Sequence, residues 1–345
     1  MIKINIKDNL HNALTLKEIS YLPCITFSTV ILTKIINQMK IEFPRGHYEA
    51  EEIANIASIG YEYVGFEALT LPFDLNFEAE ALGCDLKIKN DISSEIIKTP
   101  FDSLEDVEIP SDFINNARFP IIEKATNILH EKYDDKDIPI MASITGPFSL
   151  LSLIFSTKSD EILKHLNNNI VGIEDSLYTI TTAILEEINF FNDLNVDVIT
   201  INEPYATPNI LDPKLFKRII KPSLEELSNN CNCPSILHIC GDTNSILKDM
   251  LTCDFEGISI SEEINISTAK QLQAELNTPT RICGNISTDN TLFRKKENEI
   301  YQDTIKVLSN GVDILSPGCM LSPNTPINNL KTMIKARNDF CNLKY

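Results

Sequence analysis

Eight short runs rich in β-branched and small apolar residues recur along this chain, at 23–27, 63–67, 138–144, 196–202, 235–240, 256–261, 281–286 and 312–316. Longer stretches with the apolar period of amphipathic helices lie between and beyond them, at 30–39, 49–59, 172–194, 212–227, 243–251, 267–276, 297–308 and 327–340. Strands that are apolar along their whole length are covered on both faces, and parallel neighbours need a crossover between them. The alternation predicts an α/β fold, a single (β/α)8 TIM-type barrel over residues 1–345 with an N-terminal helical extension. Residues 71–133 are too many for one crossover and predict an insertion after the second strand.

Composition narrows the partners. Acidic residues outnumber basic ones 49 to 30, a formal charge of −19, and no Lys/Arg-rich run interrupts the excess. Nucleic acid is excluded as a partner, because binding its phosphates needs a cationic face. The opening MIKINIKDNLHNAL is polar, and no stretch reaches the roughly 18 apolar residues of a membrane span. A cytoplasmic protein without a membrane partner is expected. Nine scattered cysteines then read as reduced thiols, some of them available to a metal. No phosphate-cradling glycine motif is present among the eleven glycines.

In barrels of this type the reacting groups sit at the C-terminal ends of the strands. Here those ends carry Glu67, Thr145 and Gly146, Glu203, His238 and Cys240, Glu262 and Glu263, Asn285, and Cys319. His238 and Cys240 stand two apart on one strand, so both side chains leave the same face with Cα atoms roughly 6.6 Å apart. Cys319 ends the last strand and approaches from across the mouth. An imidazole and two thiolates with a vacant fourth position make a catalytic zinc site, and soft donors favour Zn2+ over harder ions. A His-x-Cys pair alone is more commonly core packing; the third ligand at another rim shifts the reading to metal.

Glu262 and Glu263 are candidates for the fourth position, or else charges that open the following helix. Glu203 can orient substrate or a ligand, or serve as a loop acid. Arg45 and His47 in FPRGHYEAEE can meet an anionic group, and a surface loop explains them equally. Cys231 and Cys233 precede the fifth run and belong to the opposite end of the barrel.

The segments FPRGHYEAEEIANIA, GYEYVGFEALTLPFDLNFEAEALGCDLK, ITGPFSL, VITINEPYAT, ILHICGDT, EGISISEE, ICGNIST and DILSPGCML resemble the uroporphyrinogen decarboxylase superfamily over nearly the whole chain. Within it they resemble the methylcobalamin:coenzyme M methyltransferases, most specifically in H-x-C-G followed far downstream by PGC. The arginine-rich N-terminal segment of true decarboxylases is replaced by LPCITFSTVILTKII, which has no arginine. The resemblance implies Zn2+ held by His238, Cys240 and Cys319, with Glu263 as first and Glu262 as second choice of exchangeable acid. Arg45, His47 and Asn285 become candidate cofactor contacts, although Arg45 and Gly46 depart from the acid and small residue usual before that histidine. It implies methyl transfer from a methylated corrinoid, methylcobalamin or a separate corrinoid protein, to the thiol of coenzyme M. Another acceptor such as homocysteine or a tetrahydrofolate, or a non-catalytic corrinoid-handling role, remains open on the sequence alone.

Overall fold

The structure, a computed structural model, describes residues 5–89, 92, 94–157, 162, 166 and 170–344. Seven parallel strands form one curled sheet in the order β1, β4, β5, β6, β7, β8, β9. They are β1 Leu69–Leu71, β4 Ile140–Thr145, β5 Val198–Asn202, β6 Ser235–His238, β7 Gly257–Ser259, β8 Arg281–Ile286 and β9 Ile314–Pro317. Every residue of β4, β5, β6 and β9 is buried, as expected of strands covered on both faces. The first predicted strand, 23–27, takes the eighth station as an extended segment with a single bridge, Cys24 to Leu315. Its backbone bonds on one side to Leu315 of β9 (Ile25 N to Leu315 O, 3.1 Å) and on the other to the chain entering β1 (Glu67 N to Cys24 O, 3.0 Å).

The second predicted strand, 63–67, is a correction. The helix Ala50–Ile59 does not stop there but runs on as a wider π-type turn, Gly60–Val64, until Gly65 at φ +101° turns the chain; strand geometry begins only at Leu69. Aromatic and branched residues read as a strand here because tertiary contact uses them otherwise: Tyr61 packs edge-on against Tyr133, with ring centroids 5.8 Å apart. Glu67 consequently lies below β1, at the opposite end from His238. There it accepts Cys24 N at 2.9 Å and pairs with Arg337 at 2.6 Å.

The predicted insertion holds a two-stranded antiparallel hairpin, β2 Asp85–Ile88 with β3 Ser94–Lys98, and the helix Phe119–Tyr133. The N-terminal extension is the helix Ile6–Leu14, capped by the Asn5 side chain on Asp8 N. Its buried Leu10, Ala13 and Leu14 join Ile25, Met141, Val198, Ile236, Cys283 and Ile314 in a second apolar cluster at the barrel axis. Gly257 leaves room for this: a Cβ there meets Leu14 Cδ2 at 3.3 Å. The helix thus plugs the base, and the strands open at their other end. Among the described residues no helix is long and apolar enough to cross a membrane.

Candidate metal site at the mouth of the barrel

β6 ends at His238, and Cys240 follows two residues on. Gly241, at φ +84°, then swings the chain away from the mouth. β9 ends at Pro317 and delivers Cys319 through Gly318. A side chain at position 318 would be crowded, since its Cβ would lie 3.0 Å from Glu262 Oε2 and 3.2 Å from Ser261 Cα. Glycine there lets the loops after β7 and β9 touch.

The ligand atoms of His238, Cys240 and Cys319 lie within 4.8 Å of one another, the sole such His/Cys/Asp/Glu group among the described residues. Ligands on a tetrahedral zinc shell stand roughly 3.3–3.8 Å apart, so small side-chain shifts bring all three onto one ion. The imidazole is already oriented. Its Nδ1 is 2.8 Å from Ser259 Oγ on the neighbouring strand, where Ser259 is the register partner of His238, which leaves Nε2 for the mouth. Phe27 stacks on the ring with centroids 5.8 Å apart and planes 15° from parallel. The hydrogen bond between the sulfurs, helped by His238, holds Cys319 down to about 4 and drives Cys240 up. Two thiols at this separation share one proton, and an arriving cation replaces it. One borderline nitrogen and two soft sulfurs are the donor set that zinc prefers.

The pocket above these atoms is mainly apolar, walled by Phe27, Leu75, Pro204, Pro317, Met320 and Leu321. Thr26, Ser28 and Asn202 supply its polar atoms besides the three ligands. Sequence reasoning missed them. The rule that located the other rims, applied to the end of the 23–27 run, points to Thr26, Phe27 and Ser28.

The remaining predicted residues separate. Glu262 and Glu263 are both exposed, but only Glu262 turns back to the site, accepting from Ser287 Oγ at 2.6 Å, lying against Gly318 and acting electrostatically on Cys240. Glu263 makes only a long bond from its backbone N to Ser261 Oγ, 3.4 Å, among the described residues. Asn285 is buried and donates to Ser261 O (2.9 Å) and Ile264 O (2.7 Å), so it fixes the loop that carries Glu262.

Glu203 is fully buried and its carboxylate is occupied at the start of the helix Pro147–Ile154, accepting from Phe148 N, Ser149 N and Ser149 Oγ at 2.6–2.9 Å. Burial nevertheless pushes its carboxyl up to about 7. Both of its oxygens are thus engaged at the start of that helix, as the alternative reading of a helix-start acid expects. Arg45 is a surface residue paired with Glu52 at 2.6 Å and Glu49 at 3.7 Å. His47 is buried between Phe43 and Phe73, with Nδ1 3.1 Å from Arg118 and Nε2 3.2 Å from Ile92 O. It belongs to an internal network in which Asp74, despite burial, is held well below the usual carboxylate range by His47 and Arg118. Neither Arg45 nor His47 lines the pocket.

A model of the family "Uroporphyrinogen decarboxylase (URO-D)" matches residues 5–340. The chain is 31% identical over 343 residues to the methylcobamide:CoM methyltransferase MtaA of Methanosarcina barkeri, covering 99% of each. It is 28% identical over 351 residues to the methylcobamide:CoM methyltransferase MtbA of Methanosarcina acetivorans, covering 97% of this chain and 98% of that one. The solved structure of a methyltransferase from Methanosarcina mazei superposes with a TM-score of 0.91 at 29% identity, covering 98% and 99% of the two chains. Matched almost end to end in sequence and fold, the chain belongs to the uroporphyrinogen decarboxylase family, in the branch of its methylcobamide:CoM methyltransferase relatives.

Proposed function

We propose that this protein transfers a methyl group from a methylated corrinoid to the thiol of coenzyme M, with zinc held by His238, Cys240 and Cys319. The observation that carries the reading is the convergence of one imidazole and two sulfurs within 4.8 Å at the floor of an apolar pocket. A zinc ion in that position is a Lewis acid that lowers the pKa of a coordinated thiol, so that the acceptor is a thiolate at neutral pH.

The chain's own residues do the rest. Ser259 and Phe27 fix the imidazole plane. The two cysteine sulfurs keep the centre electron-rich, and Glu262, held by Ser287, is the acid that stands beside it when no acceptor is present. The apolar walls exclude water from the reacting sulfur and hold it facing the mouth, where positioning contributes to the rate. In the transfer the sulfur–carbon bond forms as the cobalt–carbon bond breaks. That bond's electron pair stays with the corrinoid, and the thiol proton leaves to water. The corrinoid, free or on a carrier protein, approaches from above, where Met320 is 49% exposed beside Cys319.

Purified zinc-loaded protein is expected to convert methylcobalamin and coenzyme M to methyl-coenzyme M, with homocysteine and tetrahydrofolate much slower. Cys240→Ala and Cys319→Ala should each lose the bound zinc and at least ~10³-fold in rate, on the order of 4 kcal/mol. Full turnover by a zinc-free protein would overturn the reading.

A further inference from the structure

Glu78, on the short helix Phe77–Ala81, and Glu187, on the long helix Ile170–Asp193, are sealed in the interior and act on each other. They are bonded unequally. Glu78 accepts from Thr145 N at 2.7 Å on one oxygen and from Thr145 Oγ1 at 3.0 Å on the other. Both oxygens of Glu187 are buried without a partner. A carboxylate so placed takes up a proton, so Glu187 is the neutral member and Glu78 the one able to ionise.

Thr145 ends β4, and its hydroxyl has a second acceptor within reach, Leu75 O at 3.2 Å. Among the described residues this is the one hydrogen bond of the Leu75 backbone, and Leu75 is a wall of the pocket above His238, Cys240 and Cys319. A hydroxyl has a single hydrogen to give. An ionised Glu78 is the stronger acceptor and takes that hydrogen, which leaves Leu75 O untied. A protonated Glu78 carries its own hydrogen, donates it to Thr145 Oγ1 and frees the threonine hydrogen for Leu75 O.

Few other charges reach this group. Burial, opposed by the bonds from Thr145 and joined by Asp74 in the loop before Leu75, brings the Glu78 carboxyl up to about 7. Leu75 is therefore tied on the acid side of that value and released on the alkaline side. Arg118, at the head of the helix Phe119–Tyr133, is engaged by Asp74 and Glu80. β4 and the helix Pro147–Ile154 carry no titratable side chain, and the charge acting on Glu187 is Glu78.

We propose that Thr145 and Glu78 are positioning residues for the mouth, and that one proton on Glu78 decides whether Thr145 ties down Leu75, a wall of the reaction pocket. The proposal rests on the reading of this pocket as the methyl-transfer site and adds a proton switch to it.

The first test needs neither metal nor substrate. In full-length protein labelled at its leucine carbonyl carbons, the Leu75 resonance, identified by its loss in Leu75→Ile, should shift with pH as a single protonation near 7. Glu78→Gln offers Thr145 Oγ1 an amide hydrogen, as the protonated acid does, and should hold the resonance at its acid limit. Thr145→Val has no hydrogen to give and should hold it at the alkaline limit, while Thr145→Ser should titrate like wild type. A wild-type resonance that stays still across the neutral range, or one that still titrates in Glu78→Gln or Thr145→Val, overturns the proposal.

The second test separates the switch from the reaction. On the acid side of the titration, Thr145→Val should raise KM for coenzyme M about threefold to tenfold, the worth of one neutral hydrogen bond, with kcat within about twofold. Thr145→Ser should restore it. An unchanged KM in Thr145→Val overturns the link from Thr145 to the pocket. Absence of methyl transfer in the wild type overturns the reaction reading instead, and the Leu75 titration then decides the switch by itself.

Discussion

The two ends of the barrel are built from the same strands and do opposite things with the same residue type. At the mouth, Cys240 and Cys319 come from two loops and lie against His238, so that one sulfur is held as thiolate. At the base, Cys231 and Cys233 sit two apart in sequence, as His238 and Cys240 do. There burial leads and neighbouring Glu256 adds to it, raising both thiols, Cys233 to about 12. Spacing alone does not make a metal site. What differs is the partner: an oriented imidazole and a sulfur from a distant strand above, carboxylates and the main apolar core below.

If the ends are separate in this way, changes at one should leave the other's property intact. Leu14→Ala removes part of the plug at a side chain 2% exposed and should cost roughly 2–5 kcal/mol in unfolding free energy. Zinc bound per folded molecule should stay the same, and a loss of zinc at temperatures where the variant is fully folded would break the separation. Ser259→Ala frees Nδ1 of His238 and should weaken zinc about 10–100-fold, by competition with a chelator, with little change in the thermal transition of the metal-free protein.

A third change separates proton effects from metal effects. Glu187 is fully buried with both carboxylate oxygens unpartnered; burial first, then the nearby Glu78, raises its carboxyl well above 4.5. The folded state therefore holds this proton more tightly than the unfolded chain. The stability it permits is present below about pH 4.5 and is lost as pH rises through the raised value. Glu187→Gln should melt like wild type at acid pH and a few degrees higher at alkaline pH, with zinc stoichiometry unchanged. A stabilisation that grows toward acid pH would refute the assignment of Glu187 as a buried neutral acid.

Much of the fold was legible because period and burial agree. The run 281–286 is β8 to the residue, and 196–202 contains β5 whole. The pattern failed at 63–67, where a π-type turn prolongs a helix through residues that favour strands. The two-residue period of a strand predicts the grouping of His238 with Cys240; β6 in fact ends at His238, and Cys240 reaches the same site from the loop just beyond it, while Cys319 follows from its place after the last run. Glu203 looked like a site acid by the same rule. Its use as a helix cap depends on Phe148 and Ser149, more than fifty residues earlier, and no local pattern encodes that meeting. Thr26 and Ser28 are reached only by extending the strand-end rule to the run 23–27, whose place as the eighth station of the barrel shows in the fold.

The plug formed by the helix Ile6–Leu14 makes the barrel a vessel with one door. For the reaction proposed here, the smaller guest must be seated before the bulky macrocycle covers the opening, and the thioether product cannot depart until the macrocycle lifts. Turnover would then follow a compulsory queue, small guest in first and out last.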